Sequence, residues 1–269
     1  MDLHFHFSQE YYIINHYHGL TVYMCIRHLP EGCGTGEYVK QNTDAKRGQA
    51  MKQFFEIVDV TARQVFDLDM NPTVEVDVTL DDGTVGRAAA PGCMKNAKPV
   101  NIAVDNVNIE LSEALLAMNA LEQASIDELL MEIDGTPGAA RLGANAVLAA
   151  SLAVAKAAAE SSGLALYNYI GGVNARVIPD AEQEGSALSL SDHTTRPGLI
   201  DAAASLRGRG GELAVTALPG EPDDTAIADI AVALNAEKIV TSSATVLNQL
   251  IRIDEELFDA SRHPEEEGI

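Results

Sequence analysis

The stretch from residue 142 to residue 172 limits this chain most. Between Ala144 and Ala159 it is almost entirely Ala, Val and Leu, broken only by Asn145, Ser151 and Lys156. Alanine is the strongest helix former, and neither Pro nor Gly interrupts the run. Gly163 stands where a C-terminal cap is expected. A helix this apolar on most of its girth belongs inside a core, and its small side chains let neighbours approach closely. It is too short and too interrupted for a bilayer span, which needs ~20 apolar residues. The rest of the chain must therefore supply layers that enclose it.

The 269 residues suffice for one large domain or two ordinary ones. A formal charge of −22 excludes a basic face for nucleic acid or an anionic membrane. Cys25, Cys33 and Cys93 are scattered and lack metal-ligand spacing, so no disulfide framework is expected. The N-terminus is acidic and then His-rich, without the basic start and apolar run of a signal peptide. These features predict a soluble, cytoplasmic protein.

Residues 1–50 differ in composition from the rest of the chain. His4, His6, His16, His18 and His28 crowd the first 28 positions. Two His-x-His pairs would put imidazoles on one face of a strand, as a metal site requires. No cysteine or carboxylate completes a ligand set, so a disordered extension is the expectation. Composition changes abruptly at Met51, and Met51 is read as the natural start, with residues 1–50 a translated leader.

Beyond Met51 the chain reads as strands and then helices. Residues 54–60 have strand-like content, and Asn71-Pro72 signals a turn. Val74, Val76, Val78 and Leu80 alternate with Glu75, Asp77 and Thr79, the period-two pattern of a half-buried strand. Asp81-Asp82-Gly83 marks a hairpin turn and residues 84–90 the returning strand. Helical spacing is predicted over 107–118 and 125–133, then the buried helix. The pattern is that of an α+β domain with helices packed on an antiparallel meander. From 179 to 215 the signal fades into a linker or irregular segment. Asp223 and Asp224 are N-cap candidates for a helix carrying Ile227, Ile230, Ala231 and Leu234. A last helix has Val246, Leu250, Ile253 and Leu257 on one stripe. Glu221, Asp223 and Asp224 form a carboxylate cluster, read as a solvated helix start ahead of a weak Mg²⁺ site.

Several of these stretches resemble the enolase family. Residues 66–78, containing Asn71-Pro72-Thr73-Val74-Glu75-Val76-Asp77, resemble its opening strands. Ile133-Asp134-Gly135-Thr136 is similar to its LDGT, and Leu142-Gly143-Ala144-Asn145-Ala146 to its LGANA. Residues 151–159, 166–172, 224–235 and 248–257 also resemble the family, and the resemblance covers more than half of the chain. It implies an α+β capping domain followed by a (β/α) barrel. The family reaction is the Mg²⁺-dependent, glycolytic lyase step from 2-phosphoglycerate to phosphoenolpyruvate and water. There, metal ions stabilise the enolate-like intermediate and a base lysine removes the proton.

The resemblance lapses where the family does its chemistry. The mobile serine-glycine loop is missing after the second hairpin strand, where Ala90-Pro91 runs into Gly92-Cys93-Met94-Lys95. The strands bearing the three metal carboxylates and the base lysine have no counterpart. The phosphate-binding His-Arg-Ser is replaced by Ala217-Leu218-Pro219, and Val240 stands where a second active-site lysine belongs. Losing one positioned acid or base costs ~10²–10⁴-fold. The residues after Gly172 are too few for a barrel of ~250 residues.

The expected organisation is a His-rich extension over 1–50, a capping domain over 51–178, a linker over 179–215 and a barrel remnant over 216–269. The expected function is that of an enolase-family pseudoenzyme, truncated, with no catalytic, cofactor-binding or metal residues of its own. The alternative is a non-catalytic binding or regulatory module. Its apolar helical faces would dock on a complete enolase subunit, on another copy or on a different partner. A partly folded remnant is the third possibility.

Overall fold

The computed structural model describes residues 12–17, 20–24, 54–182, 188–189, 203, 213–216, 224–241 and 243–263. Two units separate, residues 1–52 and 53–269. In the first, β1 (Tyr12–Tyr17) and β2 (Leu20–Met24) pair antiparallel, so part of the stretch expected to be disordered has a paired backbone. The rest of that extension, with His4, His6, His18 and His28, lies outside the described residues.

The second unit begins with the expected meander. Strands β3 (Ile57–Phe66), β4 (Pro72–Leu80) and β5 (Val85–Ala90) pair antiparallel in that order. Val74, Val76, Val78 and Leu80 are buried on one face, as the alternation requires. The opposite face carries charge. Asp77 on the central strand accepts hydrogen bonds from Arg87 Nε at 2.7 Å and Arg63 Nη2 at 2.5 Å, and Arg63 also reaches Glu75. Those guanidinium hydrogen bonds, Arg87's first, hold the Asp77 carboxyl well below the usual carboxylate range.

Helix α1 (Val100–Asn106) runs through a π turn, Val107–Leu111, into Ser112–Leu115. The helix predicted over 107–118 thus starts earlier and stops at Leu115. Its end is taken by β3, because Ala117 N donates to Ile57 O and Ile57 N to Met118 O. Asn108, in the π turn, pairs both amide atoms with the backbone of Ala62. Helix α2 (Gln123–Asp134) follows and ends at Gly135 in the left-handed conformation.

Helix α3 (Ala144–Ser161) is the buried helix, enclosed along nearly its whole length. Its alanines let β5 approach to the limit: a Cβ on Gly86 would lie 2.1 Å from Ala153 O. Helix α4 (Leu166–Gly171) follows after a tight break. Gly171 meets the later chain equally closely, a Cβ there falling 2.3 Å from Ala233 O.

The C-terminal part is not a set of exposed stripes. Strands β6 (Asp180–Glu182), β7 (Leu188–Ser189), β8 (Ala214–Thr216) and β9 (Lys238–Val240) make a parallel sheet in the order β6-β9-β8-β7. Three of these strands fall where only a linker or irregular chain is expected. Helix α5 (Ala226–Ala233) joins β8 to β9 and is buried at every position. Helix α6 (Ala244–Leu257) packs on α5 with Val246, Leu250 and Ile253 buried. The stripe expected to be available to a partner is therefore covered from within the chain. One continuous hydrophobic cluster runs from Phe55 to Ile253. The fold is α+β, an antiparallel meander with helices and a small parallel sheet. Among the described residues, no single helix is long and apolar enough to cross a membrane.

Candidate functional site

Parallel strands present chemistry at their carboxyl ends. Register places Glu182, Val240, Thr216 and Ser189 there, side by side. Val240, where the resemblance puts a lysine, is 9% exposed. Its carbonyl accepts the Thr216 hydroxyl at 3.3 Å. The next hydroxyls are spent on the backbone. Thr241 Oγ1 accepts from Ser243 N, and Ser243 Oγ caps α6 by accepting from Val246 N.

Magnesium requires near-octahedral oxygen ligation with carboxylates among the donors. Among the described residues, no group of three His, Cys, Asp or Glu is placed to hold a metal ion. Val240 and the engaged hydroxyls of Thr216, Thr241 and Ser243 do not supply that donor set. Glu221 and Asp223 of the carboxylate cluster lie outside the described residues. Asp224 is described and half-buried, and it accepts the first amide of α5, Ala226 N, at 2.8 Å. Its carboxylate also holds Lys156 and the Ala89 amide, while the N-cap position itself is Thr225, whose side chain makes no capping bond.

The family-like motifs turn out to be joints. Asp134 is buried and gathers the loop after it, accepting from Thr136 N and Oγ1, Arg141 N and Leu142 N. Asn145, 1% exposed, pairs with Lys98 as a strand would: Lys98 N donates to Oδ1 at 3.0 Å and Nδ2 donates to Lys98 O at 3.1 Å. That pairing, with Met94 buried, fixes the short connection from β5 to α1, where the resemblance leads one to expect a long mobile loop.

A second place concentrates polar groups. The amine of Lys156 lies 2.5 Å from Asp224 Oδ1, in a partly buried ion pair. The same carboxylate accepts from Ala89 N at 3.2 Å and Ala226 N at 2.8 Å, tying β5, α3 and α5 together. A cleft of about 310 Å³ opens beside the pair, lined by Arg87, Lys156, Glu160, Asp229 and Gln249. Asp229, on α5, is 4% exposed, and Gln249 Nε2 donates to its Oδ2 at 3.3 Å. Burial pushes its carboxyl up to about 6, against the pull of Lys156 and a hydrogen bond from the Tyr167 backbone. Burial, aided by Glu256, pushes the Tyr167 phenol up to about 12.

The sequence marks Lys156 only as a break in an apolar run, and Asp229 not as a site residue at all. A lysine inside a buried alanine helix signals a carboxylate partner. Nothing in the spacing says that the partner comes from the far end of the chain.

Residues 93–170 match the family model described as Enolase, N-terminal domain. The match supports an enolase-family relationship. It includes α1 to α3 and all but the last residue of α4, and it begins just after the meander. It covers less than a third of the chain, consistent with a partial, divergent domain of that type.

Proposed function

We propose that this chain is an enolase-type scaffold that does not carry out the family's dehydration. It keeps the capping layer and a short parallel layer, and among the described residues no acid, base and metal groups are gathered at the strand ends. The observation that carries this reading is Val240 at the carboxyl end of β9. An isopropyl group neither holds nor moves a proton, and the strand ends beside it offer no carboxylate cage among the described residues. Electrostatic stabilisation of an enolate-like intermediate by Mg²⁺ would need such a cage. The preserved motif residues Asp134 and Asn145 support the same reading, since both are consumed in backbone hydrogen bonds.

The test is incubation of the pure full-length protein with 2-phosphoglycerate and Mg²⁺. Formation of phosphoenolpyruvate is expected to stay at the level of the protein-free control. Turnover that rises with protein and disappears on chelation would overturn the proposal.

A further inference from the structure

The cleft beside the Lys156–Asp224 pair holds opposite charges that do not meet each other. Glu160 stands exposed in the last turn of α3, and its carboxylate has no hydrogen bond or ion pair among the described residues. The position is unfavourable, because a helix C-terminus carries partial negative charge and the last turn of α3 has no basic residue to offset it. On the β5 side, Arg87 gives Nε and Nη2 to Asp77, which leaves Nη1 to donate elsewhere. Lys156 gives a hydrogen bond to Asp224, and an ammonium has further donors to offer. The Thr225 hydroxyl makes no capping bond. These four residues line one cavity of about 310 Å³, at the small end of ligand sites. Yet Arg87 and Lys156 make their ion pairs with Glu75, Asp77 and Asp224, not with Glu160. Val85 and Leu164, each 48% exposed, and Ala159 give the same cleft an apolar wall.

We propose that this cleft binds a free α-amino acid with a short aliphatic side chain, as its zwitterion. The ligand carboxylate is received by Arg87 Nη1, Lys156 and Thr225, its ammonium by Glu160, and its side chain covers Val85, Ala159 and Leu164. The pattern discriminates against simpler ligands. A plain anion meets Glu160 and Asp229, and a plain cation meets Arg87 and Lys156, so either one leaves part of the cleft repelled or unmatched. A zwitterion also brings no net charge to a chain of formal charge −22, whereas a free anion approaches against that field. None of these residues comes from the parallel strands, so the proposal does not depend on whether the chain dehydrates 2-phosphoglycerate.

Titration of the full-length protein with L-leucine, followed through its backbone amides by NMR, tests the site. Two relatives of leucine carry one charge each: 4-methylpentanoate lacks the ammonium, and 3-methylbutylamine lacks the carboxylate. L-leucine should shift the amides of Ala159, Leu164 and Thr225 saturably, with a Kd about tenfold below that of either relative, the worth of one charge-assisted contact. In Glu160→Gln the affinity for L-leucine should fall about tenfold, while that for 4-methylpentanoate does not fall. Glu160 is exposed and its side chain is bonded to no described residue, so this variant keeps the fold. Failure of L-leucine to approach saturation at about 10 mM, or equal binding of either relative, would overturn the proposal. So would an unchanged affinity for L-leucine in Glu160→Gln, or shifts that lie away from the cleft.

Discussion

Lys156 Nζ and Asp224 Oδ1 are 2.5 Å apart in space and 68 residues apart in sequence. The pair crosses from the alanine helix to the start of α5, where Asp224 also takes the Ala89 and Ala226 amides. Removing one partner strands the other in a partly buried site. Lys156→Met is expected to lower unfolding free energy by about 2–3 kcal/mol. The double variant Lys156→Met, Asp224→Asn should recover part of that loss, because Asn still accepts the backbone amides. Urea titration of the two variants checks this; equal losses would mean that the charges are not coupled.

Two glycines sit where no side chain fits freely. In Gly86→Ala the methyl meets the backbone of Ala153 and Ala157, which cannot turn aside. A loss of about 2–4 kcal/mol is expected, comparable to overpacking at its severe end. Gly83 has open space around it but a φ of +88°, so Gly83→Ala should cost only about 1 kcal/mol. Thermal melts of both variants, with Gly86→Ala far the lower, test that sheet–helix contact is the tighter constraint.

Asn145 is the hinge pin of the β5–α1 connection. Asn145→Ala leaves the Lys98 amide and carbonyl without their side-chain partner. About 1–3 kcal/mol of stability should be lost, with Asn145→Asp intermediate because only the acceptor half survives. A silent Asn145→Ala in denaturant titration would show that the connection holds itself.

The Asp229 carboxyl also sets a pH dependence for global stability. Its folded value, about 6, lies above the ordinary 3.8. The native state therefore binds the extra proton between these values. Its contribution is fully present below about pH 4 and is lost as pH rises through about 6. Asp229→Asn should thus be more stable than wild type at pH 7.5, by about 1–3 kcal/mol, with the gap closing toward pH 4. Chemical denaturation at the two pH values decides it; a wild type that gains on Asp229→Asn as pH rises would contradict the sign.

The elements legible from sequence are those whose pattern is self-sufficient. Strand β4 announces itself because Val74, Val76, Val78 and Leu80 alternate strictly with Glu75, Asp77 and Thr79. The alanine helix is legible from its composition, unbroken by Pro or Gly, and the α6 stripe from its helical period. Strands β6, β8 and β9 are three residues each, too short for any period, and they exist through parallel pairing with one another. The premature end of the α1 segment at Leu115 is likewise a tertiary effect, imposed by β3. At the candidate site, Val240 was legible by position because the flanking Ile239 and Thr241 were recognisable. The Lys156–Asp224 pair and the Asp229 environment were not, since both depend on which helices become neighbours.

Helix α5 is enclosed by α4 from before it in the chain and by α6 from after it. A ribosome releases these pieces in order, and folding proceeds from the N-terminus as they emerge. The floor of the α5 chamber, around Gly171, is thus made long before its roof. Until residues 244–257 are free, Ile227, Ile230 and Val232 have no complete shelter. The interval between the release of α5 and the release of α6 is then the moment of greatest exposure to self-association. A nascent chain stalled just short of α6 would be the form most in need of a chaperone.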